Sequence, residues 1–162
     1  MTSTKSEIPA KSHFLPEELL ASTAFLLARV GVGIKLRTFA EIEKAGFSGP
    51  QYGVLALLGE GATETQASIA DVLGLDRSQL VSELDALEER GLIERRRDPN
   101  DRRRHTVALT AAGKRQLVRL RAIVKRIEDS FLEPLDEAAR TQLHDTLLRI
   151  ACSHDRRYKR ES

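Results

Sequence analysis

The residues of this chain best suited to binding an anion are six arginines concentrated in one short segment. The segment 95–104 contains six Arg and two Asp, a local net charge of +4 in a chain whose formal net charge is +2. Arginines this close repel one another unless an anion neutralises them, and phosphate oxygens accept paired hydrogen bonds from the guanidinium fork. The segment therefore predicts contact with a nucleic-acid backbone, with a solvated charged hairpin as the alternative. The six residues are Arg95, Arg96, Arg97, Arg102, Arg103 and Arg104.

The arginine segment has the pattern of a β-hairpin. Ile93 precedes the first three arginines, and Val107 and Leu109 alternate after the last three, as side chains do on one face of a strand. Between the two groups lies Asp98-Pro-Asn-Asp101, whose residue types favour a turn. We therefore expect two short antiparallel strands that present the arginines near their tip.

A helix-turn-helix pattern comes directly before this hairpin. A first helix from about Gln66 ends at Gly74. Asp76 and Gln79 then form the capping-box pattern that starts a second helix, about 77–90. Two helices joined by a tight, glycine-containing turn are the signature of the motif that places a helix in the DNA major groove.

The second helix of this pair is amphipathic, and its polar face carries mostly short side chains. Leu80, Leu84 and Leu87 recur at helical spacing and predict the buried face. Short polar side chains on the other face can approach base edges, and a helix N-terminus also favours phosphate. An ordinary solvated helix has the same pattern, but the neighbouring arginine hairpin favours duplex DNA as the partner. The candidate recognition residues are Arg77, Ser78, Gln79, Val81, Ser82 and Asp85.

Other helices flank these motifs and make the predicted fold class mainly α with a small β-hairpin. Pro16 opens a first helix of about 30 residues that stops at Gly46. Ser48-Gly-Pro-Gln51 and Thr63-Glu-Thr-Gln66 are capping boxes for the next two helices.

Two more helices are predicted after the hairpin. Thr110 caps the fifth, which ends near Pro134, and Asp136 caps the sixth. The fifth has a coiled-coil-like apolar seam and the sixth has one apolar face, so both suit packing against another helical surface. The seam consists of Leu117, Leu120, Val124, Ile127 and Phe131, and the face of Leu143, Leu147 and Ile150.

Composition excludes several classes of protein. Hydrophobic residues at 41% and charged residues at 31% are typical of a globular domain, and of neither a disordered chain nor a membrane bundle. The longest apolar run is far short of the roughly 20 residues that span a bilayer. The first 14 residues also lack the apolar core of a secretory signal. We therefore expect a cytoplasmic protein without a membrane partner.

The sequence has no pattern typical of catalysis or metal binding. Its four histidines are scattered, and no Ser-His-Asp arrangement, phosphate-cradling glycine loop or HExxH helix occurs. Cys152 is the only cysteine, and it does not share a helix face at i, i+4 spacing with His144, His154 and Asp155. We predict no enzymatic activity, no metal and no cofactor, while a redox role for Cys152 between subunits stays open.

Taken together, these motifs resemble the multiple-antibiotic-resistance regulator (MarR) family of winged helix-turn-helix transcription factors. The resemblance runs over about 19–150. Its most specific parts are Ile69-Ala-x-x-Leu-Gly-Leu75, Leu87-Glu-Glu-Arg-Gly-Leu-Ile93, the segment 98–103, and Leu109-Thr-x-x-Gly113.

The resemblance implies an obligate homodimer in which the terminal helices of both subunits interleave. Each winged lobe then binds one half-site of a pseudo-palindromic operator. Asp101 and Arg103 match the family's Asp-x-Arg at the wing tip, where the Arg enters the minor groove and the Asp holds the wing in shape. The remaining arginines of the hairpin are expected to bind phosphate or to lie as charges on the strand edges.

The polar composition of the two ends and the same resemblance together predict how the chain is divided. We expect a mobile leader at 1–14, a single domain at 15–152 and a polar tail at 153–162. Within the domain, a winged helix-turn-helix at about 48–110 lies between dimerisation helices at about 15–46 and 110–152.

Many relatives are repressors that a small aromatic or anionic molecule releases from DNA, so a ligand-released repressor is the expected function. A dimeric interaction module, or a metal- or thiol-responsive regulator without small-molecule induction, is the alternative. Some segments of the chain are expected to line the cleft that binds this small molecule. Their residues are not assigned as binding sites: Arg29, Arg37, Phe39, Phe47 and Tyr52.

Overall fold

The computed structural model describes residues 14–61, 64–97 and 105–158, with only the backbone of His105. The chain divides into two compact units, Met1–Gly33 and Ile34–Ser162. Seven helices are present in the described ranges, with three strands and a short 3-10 helix at Arg156–Tyr158. The prediction of a mainly helical fold with a small hairpin is therefore confirmed.

The prediction of one unbroken helix from Pro16 to Gly46 is wrong. The structure has a short helix α1, Glu17–Leu20, and a separate helix α2, Thr23–Lys44. The Ser22 hydroxyl accepts a hydrogen bond from the backbone N–H of Phe25 at 3.2 Å, so it satisfies a free donor at the start of α2. This local cap lets the chain begin a new helix where the apolar spacing predicted continuity.

Five helices and a sheet follow α2, and the helix starts are set by local side-chain caps. Helix α3, Gly49–Leu58, has the predicted Ser48–Gln51 capping box. Helix α4, Gln66–Leu73, has its capping box at Thr65 with Ser68, so it begins two residues later than the predicted Thr63–Gln66 box places it; Thr63 itself lies outside the described residues. The second helix of the pair, α5, spans Arg77–Glu89, with the predicted N-cap at Asp76. The remaining elements are strands β1, Glu64–Thr65, β2, Ile93–Arg97, and β3, His105–Leu109, followed by helix α6, Ala111–Phe131, and helix α7, Glu137–His154.

The sheet has three strands in the order β1-β3-β2, all antiparallel. The predicted hairpin is β2 and β3, in register from Ile93 opposite Leu109 to Arg97 opposite His105. Strand β1 was not predicted, because two residues are too few to show an alternating pattern. Its pairing with Thr106 and Val107 joins the chain before α4 to the middle of β3.

The core lies between α3, α4, α5, the sheet and the first half of α6. Leu80, Leu84 and Leu87 are buried, as their spacing predicted. Leu117 and Leu120 of the α6 seam are also buried in this core. Val124 of the seam packs against the same core, so more than half of the seam is used within the chain.

The start of α6 is joined to the end of α5. The Thr110 hydroxyl caps α6 at the N–H of Gly113 and donates to the carbonyl of Gly91 at 2.7 Å. A Cβ on Gly113 would collide with the carbonyl oxygen of Leu92, a backbone atom that cannot rotate away. Glycine at this position therefore allows the base of the hairpin and the start of α6 to pack together.

Candidate nucleic-acid interface

The first turn of α5 is held by Asp76. Its carboxylate accepts hydrogen bonds from the Gln79 N–H at 2.8 Å and from the Ser78 hydroxyl at 2.6 Å. These two bonds, the Gln79 bond first, lower the pKa of Asp76 below its ordinary value. The carboxylate therefore stays ionised at neutral pH and fixes the end of the helix that carries the predicted recognition residues.

The predicted recognition face of α5 is open to solvent. All six candidates are exposed, whereas the opposite face contributes Leu80, Leu84 and Leu87 to the core. Val81 is 41% exposed, so this face also presents an apolar side chain that a partner can contact. The face therefore has the exposure that major-groove recognition needs. Its residues are Arg77, Ser78, Gln79, Val81, Ser82 and Asp85.

Two predicted DNA-contacting residues contact each other instead of lying free. The Arg95 guanidinium on β2 forms an ion pair with Asp85 on α5. The Arg95 backbone N–H also donates to a carboxylate oxygen of Glu88 at 3.2 Å. Its Nε is buried and lies 3.5 Å from the other Glu88 oxygen, within ion-pair range but without a hydrogen-bond partner. The structure therefore gives Arg95 an intramolecular role, which joins the hairpin to the helix.

Glu88 was not among the candidate residues. It lies three positions after Asp85 on α5, so both carboxylates can reach one guanidinium. The spacing of the two acids can be read from the sequence, but their pairing with Arg95 cannot.

The other hairpin arginines differ in how they are held. Arg96 forms an ion pair with Glu94 at 2.6 Å and remains 69% exposed, and Arg97 is exposed at the end of β2. Neither side chain is buried, so both are available to an anionic partner. The other predicted wing residues, Asp101, Arg102, Arg103 and Arg104, lie outside the described residues.

The part of the chain that the structure describes also bears on metal binding, thiol chemistry and membrane insertion. That part contains no group of three or more His, Cys, Asp or Glu side chains placed to hold a metal ion. Cys152 is half-buried, and its thiol donates to the carbonyl of Tyr158 at 3.3 Å. None of the described helices is long and apolar enough to cross a membrane.

The order of these elements defines the class of protein. A helix pair with a tight turn at Gly74 is followed by an antiparallel hairpin, and a third short strand pairs with the hairpin. This arrangement is a winged helix-turn-helix, in which α5 occupies the position of the recognition helix and β2 with β3 that of the wing.

Comparisons with known proteins specify the family. The MarR family model matches residues 45–104. A MarR-family transcriptional regulator from Rhodococcus sp. RHA1 is 33% identical, with 86% of this chain and 96% of that chain covered and a TM-score of 0.71. The chain belongs to the MarR family of transcriptional regulators, which confirms the resemblance and the prediction that it is not an enzyme.

Two further relatives are informative. CouR of Rhodococcus jostii RHA1, solved with p-coumaroyl-CoA, is 35% identical, with 82% of this chain and 94% of that chain covered and a TM-score of 0.69. CouR bound to a 23-mer DNA duplex is 34% identical, with 86% of this chain and 99% of that chain covered and a TM-score of 0.76. The putative transcriptional regulatory protein for the hcr operon of Thauera aromatica is 34% identical over 99 residues, 61% of this chain and 60% of the relative. The chain thus spans about three fifths of the length of the curated relatives it matches.

Proposed function

We propose that this protein is a homodimeric, sequence-specific DNA-binding repressor that a small aromatic or anionic ligand releases from its operator. The observation that carries the proposal is the exposed polar face of α5 beside an arginine-rich hairpin. The helix supplies groups for reading base edges, and the arginines supply charge for the phosphates. CouR, a relative solved on a DNA duplex, supports the same use of this fold.

The homodimer part of the proposal rests on apolar side chains that the single chain leaves uncovered. Helix α7 has no buried residue, and Leu147, Leu148 and Ile150 on it are 38%, 42% and 44% exposed. In the first unit, Leu26, Leu27 and Val30 are also exposed. Uncovered apolar surface of this extent marks an interface. A second copy of the chain is the partner proposed here, because both surfaces lie on the terminal helices that the family resemblance assigns to dimerisation.

The DNA-binding part is tested by selecting duplexes from a randomised library with the wild-type protein. We expect a pseudo-palindrome with half-sites about 34 Å apart, because two recognition helices related by a two-fold axis enter successive major grooves. The selections are then repeated with Gln79→Ala and Ser82→Ala. Each variant is expected to change the preferred bases within the half-site, since a base-contacting group is lost.

A matched control is Ser130→Ala, at an exposed position near the end of α6. It should enrich the same sequence as the wild type. If Gln79→Ala and Ser82→Ala also leave the enriched sequence unchanged, α5 does not read the bases. If the wild type enriches no sequence, the proposed function itself is wrong.

The effector part is supported by cations beside aromatic rings in the second unit. The Arg37 guanidinium lies 5.3 Å from the centre of the Phe131 ring, and Lys35 Nζ lies 5.5 Å from that of Phe39. Such pairs offer both an apolar surface and a positive charge, which an aromatic carboxylate or thioester would use. CouR was solved with p-coumaroyl-CoA, a ligand of this chemistry.

We expect one of the probes p-coumarate, benzoate and p-coumaroyl-CoA to raise the melting temperature and to lower operator affinity. A hundredfold loss of operator affinity needs about 2.7 kcal/mol of differential binding between the released and DNA-bound conformations. Thermal shift and fluorescence anisotropy measure the two effects separately. A probe that stabilises the protein without weakening DNA binding would show a ligand site but no release mechanism.

A further inference from the structure

Arg90, at the C-terminal end of the recognition helix, reaches across to the end of α2. Its guanidinium lies 3.9 Å from the centre of the Phe47 ring. Its Nη1 also donates to the carbonyl of Gly46 at 2.9 Å. The hydrogen bond joins positions 44 residues apart in the sequence.

The groups that hold Arg90 are themselves well fixed. Phe47 is only 4% exposed, so its ring is a rigid platform of the core. Gly46 has a φ of +82°, the left-handed conformation that ends α2 and that glycine adopts at little cost. The Gly46 carbonyl lies just beyond the helix and takes a charge-assisted hydrogen bond from Arg90. The positive charge of Arg90 also suits the negative end of the α5 dipole.

Helix α5 is therefore held at two places by arginines. On the wing side, Arg95 binds the carboxylates of Asp85 and Glu88. At the C-terminal end, Arg90 binds the segment that follows α2. The buried leucines of α5 prevent it from leaving the core, but apolar contacts are not directional, whereas a planar guanidinium fixes an angle.

We propose that Arg90 is a positioning residue, which sets the angle at which α5 enters the major groove. This inference rests on the proposed function, because it assigns a role in reading an operator. Base contacts need the helix placed to within a fraction of an ångström, while contacts to phosphates tolerate more movement. Loss of Arg90 should therefore weaken specific binding and leave non-specific binding nearly unchanged.

The test compares affinity for the selected operator with affinity for a scrambled duplex of the same composition, by fluorescence anisotropy at one salt concentration. Arg90→Ala should weaken operator binding about threefold to tenfold, the size expected for one cation–π contact with one hydrogen bond. Phe47→Leu removes only the cation–π contact and should weaken operator binding less than Arg90→Ala does. Affinity for the scrambled duplex should change less than about twofold. The double variant should be no weaker than the weaker single variant, because the two residues act as one pair.

Two further variants separate positioning from charge and from folding. Arg119→Ala removes the same charge from an exposed position of α6 and should leave both affinities within about twofold of the wild type. Arg90→Lys keeps the charge without the guanidinium fork and should bind the operator with intermediate affinity. If Arg90→Ala is unfolded at the assay temperature, the affinities of Arg90→Lys for the two duplexes are compared with those of the wild type instead.

Equal losses on both duplexes for Arg90→Ala and Arg90→Lys, or no loss on either, would overturn the positioning role. That result is distinct from failure of the proposed function. A wild-type protein that enriches no operator overturns the proposed function and this inference together, whereas a wild type that binds its operator no better than Arg90→Ala overturns the inference alone.

Discussion

Arg103→Ala is expected to weaken operator binding about a hundredfold. By family resemblance, this arginine enters the minor groove, where the narrow, negatively charged A·T-rich groove favours a guanidinium. Loss of one such contact costs about 1–3 kcal/mol, and a dimer that uses two wings loses it twice. Arg103 lies among the residues that connect β2 to β3, outside the described ranges, so the expectation rests on its position in the Asp98–Arg103 motif.

The measurement is an equilibrium titration of the selected operator at fixed salt, because phosphate contacts change strongly with salt. Arg96→Ala is the matched control, since it removes the same charge from β2, where Arg96 is already paired with Glu94. We expect the control to lose less than about fivefold. Equal losses for the two variants would mean that the hairpin supplies only general positive charge.

Leu147→Glu is expected to convert the dimer to a monomer at micromolar concentration. Leu147 is 38% exposed on the single chain and lies on a helix with no buried residue. Its side chain therefore contributes little to the folding stability of the single chain. A partner subunit would enclose the new carboxylate without an opposite charge, at a cost of about 3–5 kcal/mol for an uncompensated buried charge. Both copies of the interface carry the change, so dimerisation should weaken at least a thousandfold.

Sedimentation velocity over a range of concentrations measures this effect, and circular dichroism shows whether the monomer remains folded. Leu147→Met keeps an apolar side chain of similar volume and should remain dimeric. A wild type that sediments as a monomer at micromolar concentration would contradict the homodimer. So would a Leu147→Glu variant as tightly associated as Leu147→Met, because α7 would then not lie at the subunit interface.

Most helix starts of this protein were predictable from the sequence. Ser48, Asp76, Thr110 and Asp136 each cap the helix that their position predicted. These signals are reliable because a capping side chain bonds to a backbone N–H only three residues later. The buried face of α5 was equally predictable, since helical spacing alone places its three leucines on one side.

Where two local signals competed, the sequence was not enough. Thr63 and Thr65 can both cap α4, and the structure uses Thr65. The choice coincides with pairing of Glu64 and Thr65 against Val107 and Thr106 of β3, which are distant in the sequence. The break before α2 is a second case of two competing signals. The apolar spacing continues past Ser22 and predicts one helix, whereas the Ser22 hydroxyl can cap a new one, and the structure shows the cap.

The sequence by itself determined the family and most of the helix starts, because these depend on residue types at short spacings, while the residues that meet DNA stay a prediction. Only the tertiary structure decided what the arginines bind. Arg95 is joined to two carboxylates of α5, and Arg90 to the ring and carbonyl that follow α2. The physical reason is that a charge interacts through space, and the distance between two side chains on different elements is set by how those elements pack.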